Sequence, residues 1–283
     1  MSTYKYINSR QILNNLALSA IGSPANDSLD DILSRINAIL GGLAGGAGYT
    51  AKKVALTNGS TSLTVTLPAQ PDTSYIILGM MGNVTDGFPQ YQQIEITQKS
   101  TTGFTFTWSH PLDSSNYFIS YIIPYKVFPE AEVAIGSGVS TLSATLGFAQ
   151  SGTSYPVIAQ LQNIVDAHPQ FQTVVVGSNS TTTANFSWNT LTDSGNYQMS
   201  YAILGTGQVV LASGVTSATV PVPVNFGTGN YALVATMQDT GTFPQYQSLL
   251  ITAQSGTSAT ISWSIPTDTN SYTLNYYAIS LTS

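Results

Sequence analysis

The sequence predicts a mainly β chain in which three tandem small antiparallel β-sandwich domains follow a short α-helical, coiled-coil N-terminal segment. Three observations carry that prediction: one ungapped pattern written three times, period-two alternation inside every copy, and helical periodicity confined to the residues before the first copy.

Trp108, Trp188 and Trp263 anchor the repeat, 80 and then 75 residues apart. A Pro-Gln pair begins 19 positions before each (Pro89, Pro169, Pro244), and an aspartate follows at +5 (Asp113, Asp193, Asp268). Tyrosines follow at +9 (Tyr117, Tyr197, Tyr272) and +13 (Tyr121, Tyr201, Tyr276). Self-similarity at a fixed period is the signature of an array of like units. It divides the chain into residues 1–27, a segment 28–48, and repeats at 49–128, 129–207 and 208–283. Such an array points to holding, spanning or binding rather than catalysis.

Residues 28–48 open with Ser28 as a helix cap, and Asp30 and Asp31 occupy the first turn, where the positive end of a helix favours them. Leu29, Ile36 and Leu43 recur every seven residues, as do Ile32 and Ile39, with Leu33 and Leu40 widening the seam. Isoleucine at both core positions of a heptad inclines parallel helices towards three or more strands. So short a helix is marginal alone in water. It either packs on a neighbouring domain or forms an oligomerisation seam through Leu29, Ile32, Ile36, Ile39 and Leu43. With no globular partner evident in the same segment, the second reading leads. Residues 1–27 combine aromatic, amide and basic groups without a fold of their own and read as a docking segment; GGLAGGAG (41–48) reads as a flexible linker.

Within each repeat the strand ending at tryptophan alternates. Phe104, Phe106 and Trp108 point one way, Thr105 and Thr107 the other. Ala184, Phe186 and Trp188 oppose Asn185 and Ser187, and Ala259, Ile261 and Trp263 oppose Thr260 and Ser262. The closing strand alternates through Tyr117, Ile119, Tyr121 and Ile123, then Tyr197, Met199, Tyr201 and Ile203, then Tyr272, Leu274 and Tyr276. Between them DSSN, DSGN and DTNS are Asx-type turns, the natural role of Asp113, Asp193 and Asp268. Earlier strands fall at 94–96, 174–176 and 249–251, at 75–78, 155–159 and 231–235, and at 62–67. Five or six strands per repeat suit a small sandwich, whereas a propeller blade needs four in about 40–50 residues. A sandwich of this size buries a limited core, and side-by-side association of three chains, a homotrimer, would supply the missing burial.

Only 7% of residues are charged, against about 25% in ordinary soluble domains, so Ser, Thr, Asn and Gln carry the polar surface. Five of the seven basic residues (Lys5, Arg10, Arg35, Lys52, Lys53) precede residue 54, and nothing after Lys126 is basic. Beyond residue 53 the repeats hold only Lys99 and Lys126, too few for phosphate neutralisation, which excludes nucleic acid as a partner and disfavours anionic membranes. There is no run of about 18 apolar residues to insert into a membrane. The first 30 residues lack the apolar core of a signal peptide, and the absence of cysteine removes disulfide and thiolate chemistry. Without EF-hand or zinc spacing, no metal or other cofactor is expected. His110 and His168 do not recur between copies, His168 taking the slot of Phe88 and Phe243, and no Ser-His-Asp arrangement supports nucleophilic catalysis.

For recognition the best candidates lie in FPQYQ, HPQFQ and FPQYQ: Gln90, Tyr91, Gln170, Phe171, Gln245 and Tyr246. Aromatic faces stack on sugar C–H surfaces, and a Gln amide both donates and accepts. The alternative is that Tyr91, Phe171 and Tyr246 pack in the core or between subunits, the commoner fate of a strand aromatic.

The stretch from TSYIILGMMGN through QKSTTGFTFTW to NYFISYII resembles the H-type-lectin-like sandwich of bacteriophage head and tail fibres, where a Thr-Thr-Gly-Phe-Thr strand and a late aromatic strand are typical. SNSTTTANFSW and QSGTSATISW are looser versions, and the resemblance spans roughly residues 54–283. It implies a trimeric, non-enzymatic structural fibre at the virion surface, synthesised in the host cytoplasm. Residues 1–27 would then anchor it to another virion protein, and the repeats would contact host-surface glycans. A capsid decoration or collar fibre with a purely structural role is the alternative. A polysaccharide-degrading enzyme is a third reading, and would need carboxylates gathered across subunits.

Overall fold

The computed structural model describes residues 49–124, 130–165, 169–204, 207–222, 226–227 and 229–282. The helix seam at Leu29, Ile32, Ile36, Ile39 and Leu43, the docking segment 1–27, and His168 lie outside the described residues. The described chain is mainly β, with 18 strands, six to a repeat. Repeat one holds β1 (Thr50–Ala55), β2 (Ser62–Thr66), β3 (Leu78–Asn83), β4 (Ile94–Ser100), β5 (Gly103–Trp108) and β6 (Tyr117–Ile123). Repeat two holds β7 (Glu130–Ala134), β8 (Thr141–Thr145), β9 (Val157–Asn163), β10 (Val174–Val176), β11 (Thr183–Trp188) and β12 (Tyr197–Ile203). Repeat three holds β13 (Gly207–Val210), β14 (Ser217–Pro221), β15 (Tyr231–Asp239), β16 (Leu250–Gln254), β17 (Ser258–Ser262) and β18 (Tyr272–Ser280). The first turn of every repeat has a glycine in the left-handed region, with φ of 76° at Gly59, 74° at Gly138 and 82° at Gly214.

The sheets do not stop at repeat boundaries. Three six-stranded sheets run β1-β6-β3-β16-β17-β14, β13-β18-β15-β10-β11-β8 and β2-β5-β4-β9-β12-β7. In each, the first, sixth and third strands of one repeat continue into the fourth, fifth and second strands of another. Repeat one joins three, three joins two and two joins one, so the copies close a ring about a pseudo-threefold axis. Inside a repeat the ladders are antiparallel; between repeats they are parallel, with Met81 opposite Leu250, Val175 opposite Met237, and Ile96 opposite Gln162.

Repeats one and two each keep a sandwich core of their own, whereas the core of repeat three runs into the cluster shared with the other two. In repeat one Val65, Ile96, Phe104, Phe106 and Trp108 of one half pack on Met81, Tyr117, Ile119 and Tyr121 of the other. Repeat two repeats the arrangement around Phe186, Trp188, Tyr197 and Tyr201. The opposite face of the closing strands is buried too. β6 is buried at every position, and Phe118 and Ile122 join a cluster that runs into Tyr231, Leu233 and Tyr277 of repeat three. A sheet covered on both faces reads as a near-continuous apolar run, and YFISYII is one. The one polar residue in it, Ser120, is wholly buried and accepts the Leu233 N–H at 2.8 Å. Its equivalent Asn275 donates to the Val157 carbonyl at 3.2 Å, the same position in the next repeat around the ring.

The seams carry unlike polar contacts at matching positions. Lys53 donates to Gln254 and lies over the Phe118 ring, 4.3 Å from its centroid. Glu132, in the position of Lys53, pairs with Lys99 and takes a bond from Gln162. Gln208, in the third such position, donates to Asn275 at 2.8 Å. Beside the first seam Thr282 donates to the Ala51 carbonyl at 2.9 Å, tying the far end of the described chain to β1. The burial that a lone sandwich lacks is therefore supplied within one chain. That ground for a homotrimer falls away, leaving the heptad seam as its support.

Gly82 shows how closely one seam is fitted. A Cβ there would lie 2.2 Å from the Phe118 ring, whereas the equivalent pair in repeat two is Gln162 bonded to Gln198 at 3.0 Å. Gly82→Ala is expected to destabilise the chain by about 1–3 kcal/mol through overpacking. Urea unfolding measures this, and an unchanged midpoint would contradict the packing described.

Candidate functional site

Three buried tryptophans fix the frame of the Pro-Gln segments. Their indole N–H groups donate to carbonyls of the first turn, Trp108 to Ser60 at 2.9 Å, Trp188 to Val139 at 3.1 Å and Trp263 to Val215 at 3.1 Å. The tyrosine at +9 then reaches back to the Pro-Gln pair. Its hydroxyl accepts the backbone N–H of Gln90 at 2.6 Å, Gln170 at 2.8 Å and Gln245 at 2.8 Å. Burial pushes the Tyr272 hydroxyl up to about 12 and moves Tyr117 and Tyr197 in the same direction, so these phenols stay protonated at ordinary pH.

A second glutamine completes the ladder. Gln92, Gln172 and Gln247 are buried and donate to the side-chain oxygens of Gln90, Gln170 and Gln245 at 3.1, 3.3 and 3.2 Å. Their own oxygens accept the N–H of His110, Thr190 and Ile265 at 3.0, 3.0 and 2.8 Å. An amide is suited to this because it donates and accepts at once. Gln90, Gln170 and Gln245 thus lie half-buried with their oxygens engaged, and Tyr91, Phe171 and Tyr246 are half-buried, Tyr91 against the core of repeat one.

The free aromatic surface is one step earlier in the sequence. Phe88 is 97% exposed and Phe243 84% exposed, at equivalent positions in repeats one and three. Within a repeat the loops after the third and fifth strands are tied together, Ser114 to Asp86 in repeat one, the Thr190 N–H to Gln172 in repeat two and Ser271 to Asp239 in repeat three. Val84, Val165, Leu191 and Ile265 are exposed on the same loops. The signal available in the sequence was an aromatic just before Pro-Gln in a loop, where no strand alternation demands an apolar side chain. A small cavity of about 80 Å³ lies where the repeats meet, lined by the equivalent residues Met80, Gln160 and Thr236 and by Gln92, Gln172 and Gln247.

Polar ties hold the loop that carries Phe88. Asn83 accepts the N–H groups of Thr85 and Asp86 at 3.2 and 3.0 Å. The Asp86 carboxylate accepts from Asn83 Nδ2 at 2.6 Å, Ser114 Oγ at 2.8 Å, and Asn116. In repeat three Asp239 accepts from Ser271 at 2.5 Å and from the Gly241 N–H at 2.8 Å. Among the described residues no group of His, Cys, Asp and Glu could hold a metal ion, and no helix is long and apolar enough to cross a membrane. Comparison with protein-family models, curated proteins and solved structures gave no match.

The Asn83 and Ser114 bonds hold the Asp86 carboxyl below its ordinary value of 3.8. A carboxyl lowered in the folded state contributes stability above its unfolded value and loses it as the pH falls through the folded one. The Phe88 loop is therefore expected to stay pinned at mildly acidic pH and to loosen only below about 3.8. Amide hydrogen exchange at residues 83–88 checks this, since loosening already in mild acid would contradict it, and Asp86→Ala should raise exchange at neutral pH.

Proposed function

We propose that the chain is a non-enzymatic attachment fibre whose β head contacts host-surface glycans through the rim around Phe88 and Phe243. One observation supports this reading above the rest: two equivalent phenylalanines stand almost fully in water on loops pinned by aspartate networks. Their rings contribute nothing to the core, and an apolar group held rigidly in solvent is suited to a partner. Sugar faces present C–H surfaces to such rings, and the surrounding Ser, Thr, Asn and Gln offer hydrogen bonds without the charge that would recruit phosphate. In this reading residues 1–27 dock the chain on a virion protein, and the seam at Leu29, Ile32, Ile36, Ile39 and Leu43 gathers three chains. Several weak sites on one particle then act together. The likeness to phage-fibre lectin-like sandwiches supports the same assignment.

The test is binding of the full chain to host cells and to a glycan panel, beside a Phe88→Ser, Phe243→Ser variant. The variant should melt like the parent, because both side chains are solvent-exposed, and should lose at least about tenfold in apparent affinity as the weak contacts are removed together. Equal binding by both proteins would remove the rim from the account. Absence of binding by the parent would leave the purely structural fibre reading.

A further inference from the structure

The three seams are equivalent in topology but not in what they enclose. Between repeats one and two lies a cavity of about 560 Å³, within the size range of small-molecule sites. Its wall is mostly apolar, with Ile76 from repeat one and Leu146, Phe148 and Tyr201 from repeat two. Glu130 and Glu132 also line it. They stand two apart on β7, and a strand sends alternate side chains to one face.

Among the described residues, acidic groups outnumber basic ones beside this cavity. Lys99 is in contact with Glu132 and within electrostatic reach of Glu130 and Asp72, so one described cation is set against three carboxylates. The fold does not require these acids. Strand pairing sets Glu130 and Glu132 opposite Ala202 and Ser200, and the residues in the same places on β1 are Ala51 and Lys53. On β13 the counterpart of Glu132 is Gln208. A carboxylate pair beside an apolar cavity, present at one seam and replaced at the others, is a feature of that seam alone.

We propose that the cavity between repeats one and two binds a small organic cation, an ammonium group on an apolar body. The ammonium would sit at Glu130 and Glu132, with the Phe148 and Tyr201 rings beside it, and the apolar body would lie against Ile76 and Leu146. Carboxylates supply the charge-assisted contact, and aromatic faces attract a desolvated cation. This site is independent of the Phe88 rim and of any glycan.

Isothermal titration of the full chain with hexylammonium tests the proposal, beside hexanol and hexanoate. Saturable binding of one cation per chain is expected, with hexanol weaker and hexanoate not bound. Glu130→Gln should weaken the cation by about tenfold, the order of one charge-assisted contact, while leaving hexanol unchanged. Phe148→Ala should weaken cation and alcohol alike, and both variants are compared with the parent by thermal melting. Lack of saturable cation binding, equal binding of hexanoate, three cations per chain, or a Glu130→Gln protein that melts normally and binds as tightly would each overturn it.

Discussion

The parallel pairing of the third strand of one repeat with the fourth strand of another is the constraint on which the rest of the structure depends. Only a residue or two of ladder is shared at each seam, yet it turns six half-sandwiches into three continuous sheets. Once the sheets are shared, the sixth strands are trapped between the core of their own repeat and the cluster around the axis, and both faces leave water. That explains why β6 tolerates no exposed position and why Ser120 and Asn275 spend their hydrogen bonds on the backbone of the neighbouring repeat. A buried polar group needs such a partner.

The unlike seam residues fit a ring of three different copies. Lys53 meets Gln254, and Glu132 meets Lys99. Closing repeat one on a second copy of itself would set Lys53 beside Lys99, two cations in a largely desolvated place. Burial already lowers the pKa of both lysines, so a like-charged neighbour would be strongly unfavourable there. The chemistry thus disfavours pairing of repeat one with repeat one of another chain, as specificity by repulsion requires.

Much of each repeat was legible in its residues. The inward set of the tryptophan strand is buried, from Phe104, Phe106 and Trp108 to Ala259, Ile261 and Trp263, because period two is forced by the pleat, and of the outward set Thr105 alone is buried as well. The segment 174–176 is a strand as read, while the third strands begin later than expected in two copies, at Leu78 and Val157. Joining between repeats was not legible, since a parallel seam depends on tertiary placement and leaves no local pattern. Its trace is the apolar outward face of β6, where Phe118 and Ile122 stand in positions that a one-sided sheet would give to polar residues. At the candidate site the glutamines carry both donor and acceptor, and sequence alone does not separate an amide awaiting a sugar from one closing a ladder. Gln92, Gln172 and Gln247 close the ladder. Phe88 and Phe243 became visible as exposed side chains only when their loops were placed.

Small-angle X-ray scattering from residues 49–283 tests the central claim, ring closure within one chain, most directly. A closed ring should scatter as a single chain with the radius of gyration of one compact domain of that length, about 18 Å. Three separate sandwiches strung in a line would give roughly 27 Å or more on the same scaling, and that result would contradict the shared sheets.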